Sequence, residues 1–236
     1  MTAPPETPPT PEAVSAAPGA PGAPGAPGAT SPRIDLLPAA GEVPPPRAAR
    51  SGRPLGWWGT WCVIATEGMI FALLLFVWFY LRANTNPWPP AGVPRPELVR
   101  SGTRTVILLT SSIPLHLGER ALSRGDLRRF RIWLAITFTQ GVLFIVGHAM
   151  EYVTLWPTFT PRSHAYGSIF YTLTGLHALH LIVGLGVLAF LFVQSLRRRY
   201  SAAHHVPVTC GVMYWHFVDV VWAVVFSSLY LSERLR

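Results

Sequence analysis

The sequence predicts an all-α membrane protein, a bundle of five transmembrane helices with a disordered N-terminal tail. Half of the 236 residues are apolar and only 13% are charged, and the mean hydropathy is +0.34. Those values lie away from ordinary soluble domains. Five stretches approach the ~20 apolar residues that a helix needs to cross a hydrocarbon core of ~30 Å. The formal net charge of +8 comes entirely from arginine, with no lysine in the chain. These arginines sit in short segments flanking the apolar stretches, where they meet anionic headgroups; nucleic acid is not an expected partner.

Residues 1–54 are dominated by Pro, Ala and Gly, with Gly-Ala-Pro repeating between Gly19 and Ala29. Such a segment buries too little apolar surface to offset its ordering entropy, so a disordered cytoplasmic tail is expected. Residues 55–236 form the transmembrane domain. Its first span is read from Trp57 to Leu81 and contains Glu67. The second, about Thr105 to Leu122, is the shortest and carries Ser111, Ser112, Pro114 and His116. The third runs from Ile132 to Leu155 with Gln140, His148 and Glu151. The fourth, Tyr166 to Leu196, is long enough to tilt strongly or to project beyond the bilayer. The fifth, Val208 to Leu231, encloses His216 and Asp219.

The longest connection, Arg82 to Arg104, begins with an Asn86-Pro87-Trp88-Pro89-Pro90 run that cannot continue a helix. Counted by alternate sides, twelve arginines fall on the tail's side and seven on the other. The excess puts the N-terminus in the cytoplasm and the C-terminus outside. Trp57, Trp58, Trp88, Trp133 and Trp156 lie at span ends, as interfacial anchors do. Cys62 and Cys210 match no metal or redox spacing and read as buried structural thiols.

An ionisable group within a span costs ~2.5–3.5 kcal/mol on insertion scales, so each needs a partner or a wet cavity. Glu67 lies ten residues into the first span, placed for a proton route, a lipid headgroup or an interhelical hydrogen bond. Glu151 is one turn from an outer span end, where a salt bridge to Arg162 is the simpler reading. His177 and His180 share a helix face, as do His216 and Asp219. Neither pair fixes a third metal ligand. Hydrogen-bonded core histidines, and a direct bond between His216 and Asp219, are the preferred readings. His204 and His205 read as a solvated loop pair. Gly167, Gly175, Gly184 and Gly186 permit close approach of neighbouring helices.

The string Tyr214-Trp215-His216-Phe217-Val218-Asp219-Val220-Val221-Trp222 resembles the signature of subunit III of the haem–copper cytochrome c oxidases. Thr174-Gly175-Leu176-His177-Ala178-Leu179-His180 resembles that family's T-G-x-H-x-x-H segment. Thr66 to Phe71 and Ala149-Met150-Glu151-Tyr152 are similar to its other acid-bearing elements. The resemblance covers residues 57–232, with the five helices of bacterial members. It departs at Arg104, where the family often has Asn, and at Thr209, near which it often has an acid.

The resemblance implies a core subunit without redox centres, packed on catalytic subunit I with subunit II in the same complex of the bacterial plasma membrane. Haem and copper then belong to those partners, reduced cytochrome c is the donor, and oxygen is reduced to water with proton pumping. It also implies structural phospholipids held in a cleft, and support of proton uptake and oxygen access. Glu67, Glu151, His177, His180, His216 and Asp219 carry over as polar framework and proton or lipid contacts, with no metal role. Related chains in quinol oxidases and beside nitric oxide reductases leave the donor open. A membrane di-iron enzyme, suggested by eight histidines, would need those side chains to converge on one membrane face. A small transporter coupled through a buried acid would need inverted repeats or broken helix pairs.

Overall fold

The computed structural model describes residues 54–93, 97–200 and 205–232, and the expected disordered tail and His204 lie outside them. Helix α1 (Leu55–Asn84) starts directly after Pro54 and ends at the proline-rich run, whose rings block helical hydrogen bonding. It is followed by α2 (Leu98–Thr110), α3 (Ser112–Ser123), α4 (Leu127–Leu155), α5 (Ala165–Leu196) and α6 (Val206–Phe226). The last continues into a π-helical stretch, Ser227–Leu231. No strand occurs among the described residues.

Four of these helices, α1, α4, α5 and α6 with its π extension, are each long and apolar enough to cross a bilayer. The fifth crossing is a broken one. The expected second span begins at Leu98, seven residues before Thr105, and is interrupted at Ser111. Pro114 explains the break, because it has no N–H for the Thr110 carbonyl and its ring crowds that oxygen. Ser111 keeps helical torsions and its N–H turns to Leu108 O, at 2.9 Å.

The α2 and α3 halves run antiparallel to α4 from end to end. Ser101 and Arg104 meet Glu151, the Ser111 carbonyl meets Thr137, and Gly118 meets Phe130 and Trp133. Glu151 to Phe130 is 21 residues of α4, or ~31 Å at 1.5 Å per residue. Two short helices therefore span one membrane thickness. The early start at Leu98 escaped a hydropathy reading because Ser101, Arg104 and Thr105 face inward and are buried.

The turn between α3 and α4 is tight. The Gly125 N–H donates to Leu122 O and the Asp126 N–H to Ala121 O, both at 2.9 Å, which is the Schellman pattern. Gly125 supplies the positive φ of 81° that this motif needs. Asp126 then caps α4, its carboxylate accepting from Arg129 N at 3.0 Å. That cap starts α4 at Leu127, five residues before the expected Ile132.

Helix α6 packs against α1, α5 and both halves of the broken column. Its buried face carries Val208, Val212, Trp215, Val218 and Trp222. By contrast α1 is a peripheral helix, with only Phe71 and Trp78 buried, and it is tied at its end by Arg82 donating to Ser232 O at 2.9 Å. Cys62 is exposed on it and Cys210 is half-buried, so neither is the buried thiol that apolar neighbours suggested.

Candidate functional site

The polar residues inside the bundle gather into three clusters, each joining helices distant in sequence. At one end, the Glu151 carboxylate accepts from Arg104 Nη2 at 2.6 Å, Ser101 Oγ at 2.8 Å and Tyr230 OH at 3.1 Å. Arg104 also donates to the Gly147 carbonyl. Arg104 and Glu151 side chains are only 6% and 7% exposed, so this ion pair is desolvated and survives because nearly every polar atom has a partner. The expected salt bridge to Arg162 does not form. Arg104 belongs to the early turns of α2 rather than to a loop, and its side chain reaches inward across Gly147 of α4.

In the middle, His216 and Asp219 do not bond to each other. The Ser112 hydroxyl stands between them, 2.5 Å from Asp219 Oδ2 and 2.9 Å from His216 Nδ1. A hydroxyl has one hydrogen; given to the carboxylate, it leaves the oxygen to accept from Nδ1–H, which fixes the imidazole tautomer. The break at Ser111 places Ser112 there, one residue past the kink. Asp219 Oδ1 has no protein partner among the described residues.

Ser112→Ala is expected to lower stability by ~1–3 kcal/mol, since it strands the buried Asp219 carboxylate and the half-buried His216 ring at once. Asp219→Ala should cost less, because the bond between Ser112 and His216 survives it. Thermal midpoints of the purified variants in detergent check the order; a Ser112→Ala midpoint equal to that of the parent would refute the bridge.

On the α1 side, Glu67 Oε2 lies 3.0 Å from His180 Nε2. His180 Nδ1 is 2.8 Å from the Leu176 carbonyl, an acceptor only, so Nδ1 carries a hydrogen. The contact with Glu67 then needs a second proton, on Nε2 or on the carboxyl. Glu67 is 32% exposed, so this cluster opens partly to the surface.

His177 does not work beside His180. It is fully buried, and neither of its ring nitrogens has a hydrogen-bond partner among the described residues. Its ring lies 4.7 Å from Trp222 and edge-on to Phe144, an aromatic packing role rather than the expected hydrogen-bonded one. Among the described residues no three His, Cys, Asp or Glu side chains converge as metal ligands.

The segment Tyr214 to Trp222 is the joint of the bundle. Trp215 Nε1 donates to Ser111 Oγ at 2.9 Å and Trp222 Nε1 to Thr105 Oγ1 at 3.0 Å. Tyr214 OH donates to the His180 carbonyl at 3.3 Å, and Phe217 packs against Gly68 of α1. The Trp215 ring lies between Gly184 of α5 and Gly141 of α4, so of the glycines singled out on α5, Gly184 makes the close approach to another helix, Gly167 lies against the Thr160 carbonyl, and Gly186 meets nothing. Thr209, near which the resembled family often has an acid, donates to Glu119 of α3 at 2.9 Å. Ser101, Ser112, Thr105, Tyr230 and Arg104 were not singled out as site residues in sequence. Only the i, i+3, i+4 spacing of Ser101, Arg104 and Thr105 hinted at an inward polar face.

A family model described as cytochrome c oxidase subunit III matches residues 54–233. The chain is 34% identical over 172 residues to "Cytochrome c oxidase subunit 3" of Thermostichus vulcanus, covering 72% of this chain and 84% of that protein. It is 36% identical over 182 residues to the protein of that name from Synechocystis sp., covering 76% and 77%. A "Probable cytochrome c oxidase subunit 3" of Mycobacterium tuberculosis is 38% identical over 174 residues, covering 73% and 85%.

Proposed function

The chain belongs to the cytochrome c oxidase subunit III family, and from that premise we propose how its buried residues serve an oxidase complex. It is the core subunit without redox centres, seated on catalytic subunit I with subunit II in the same assembly. Haem and copper lie in those partners, and cytochrome c delivers the electrons. One observation carries this reading: the most specific string in the sequence, Tyr214 to Trp222, engages α1, α2, α3, α4 and α5. It assembles helices.

The buried ion pair and the Ser112 bridge hold the broken column in register, and the partly open pair of Glu67 and His180 is the place for a proton or lipid contact. Phospholipids cover the outer face of α1, where Met69, Leu73 and Phe76 are each more than three-fifths exposed. The arginine excess sets the N-terminus in the cytoplasm and the C-terminus outside a bacterial plasma membrane.

Purification of the tagged chain from native membranes in mild detergent, followed by haem spectra and oxygen uptake, tests the proposal. Copurifying haem with oxygen uptake driven by reduced cytochrome c is expected. Uptake driven by quinol alone would move the chain to the quinol branch, and a haem-free preparation would refute the assembly.

A further inference from the structure

Outside the three clusters, the hairpin between α3 and α4 carries a groove of about 610 Å³ lined by Arg120, Arg124, Asp126 and Arg129 above and by Leu117, Ile132 and Trp133 below. Its chemistry changes along its depth. Arg129 is engaged by Asp126 at 3.3 Å, whereas Arg120 and Arg124 pair with no carboxylate among the described residues. One turn below them, Leu117 and Ile132 are 36% and 50% exposed. The Schellman turn at Gly125 holds the chain between Arg120 and Arg129 in one geometry, so the guanidiniums are presented by a rigid corner rather than a loose loop. The N-terminus of α4 adds its positive end of the helix dipole to the same corner.

We propose that this hairpin groove binds an anionic phospholipid, with the phosphate held by Arg120 and Arg124 and an acyl chain laid along Leu117, Ile132 and Trp133. Charge complementarity selects the occupant: net +2 from three arginines and one aspartate, directly above exposed apolar surface at the end of two helices of the bundle. A soluble anion would satisfy the arginines and leave that apolar floor uncovered. A zwitterionic lipid would cover the floor and bring no net charge. The site needs only that the bundle spans a bilayer, so its test stands or falls apart from the oxidase assignment.

The full chain, stripped of lipid in detergent, is titrated with phosphatidylglycerol or with phosphatidylcholine of the same chains, and bound lipids are counted by native mass spectrometry. Each arginine near a membrane surface is worth about five-fold in binding an anionic headgroup, so Arg120→Gln with Arg124→Gln should weaken the phosphatidylglycerol site about thirty-fold. Phosphatidylcholine binding should not change. Arg197→Gln, an exposed charge at the same end of the bundle but off the groove, should leave the site as it was. Millimolar inorganic phosphate should fail to displace the bound lipid. Equal phosphatidylglycerol curves for the double variant and the parent, or ready displacement by inorganic phosphate, would overturn the proposal.

Discussion

Arg104→Ala should destabilise the bundle by about 3–5 kcal/mol, because it leaves the Glu151 carboxylate buried with its cation gone. The loss is not of one contact. Arg104 reaches Glu151, Ser101 and the Gly147 carbonyl together, and none of these can turn to water at 7% exposure of the acid. On the scale of a domain this size the thermal midpoint should fall on the order of 10 °C. Removing both charges as Arg104→Met with Glu151→Leu should recover much of that, since an apolar pair carries no desolvation penalty. A double variant no more stable than Arg104→Ala alone would show that Ser101 and Tyr230, and not the charge pair, hold the site together.

Gly141→Leu should be as damaging by a steric route. Even a Cβ at Gly141 would lie 2.7 Å from the Trp215 ring and 2.9 Å from Leu185. Trp215 cannot retreat, being 1% exposed, bonded to Ser111 and backed by Gly184. Overpacking of a close-packed interior costs about 1–3 kcal/mol for added methylenes, and a whole isobutyl group belongs at or beyond the upper end. Gly186→Ala is the contrast, since a Cβ there meets nothing; it should be neutral or gain up to ~1 kcal/mol from helix propensity. Oxidase copurification and midpoints in detergent read both, and a stable Gly141→Leu protein would mean that α4 and α6 are less closely packed than described.

The four uninterrupted spans were legible because length and apolar content alone define them, and the matched helices α1, α4, α5 and α6 begin within about five residues of their expected starts. The broken column was misread for a physical reason. Hydropathy rewards apolar residues wherever they point, and Ser101, Arg104 and Thr105 are buried because Glu151 and Trp222 on other helices satisfy them. A partner 47 residues away leaves no local trace.

The same limit explains the central cluster. His216 and Asp219 were singled out from their i, i+3 spacing, but the hydroxyl that joins them comes from Ser112, and its position depends on a proline two residues later. The pairing of Glu67 with His180 was half visible, as two polar residues needing company without a stated match. His177 was placed correctly in the interior and given the wrong work, since ring packing against Trp222 leaves no sequence mark.

The tight turn at Gly125 also bears on how the protein enters the membrane. The column made of α2 and α3 has neither the length in one piece nor the apolar content to partition by itself, and its arginine finds a counter-ion only on α4. Emerging from the ribosome, Arg104 therefore precedes Glu151 by 47 residues, and for that interval the segment has no stable transmembrane state. A corner of three residues, Arg124 to Asp126, joins the column to α4 as one helical hairpin, so the apolar α4 is the neighbour that keeps the polar column in the membrane.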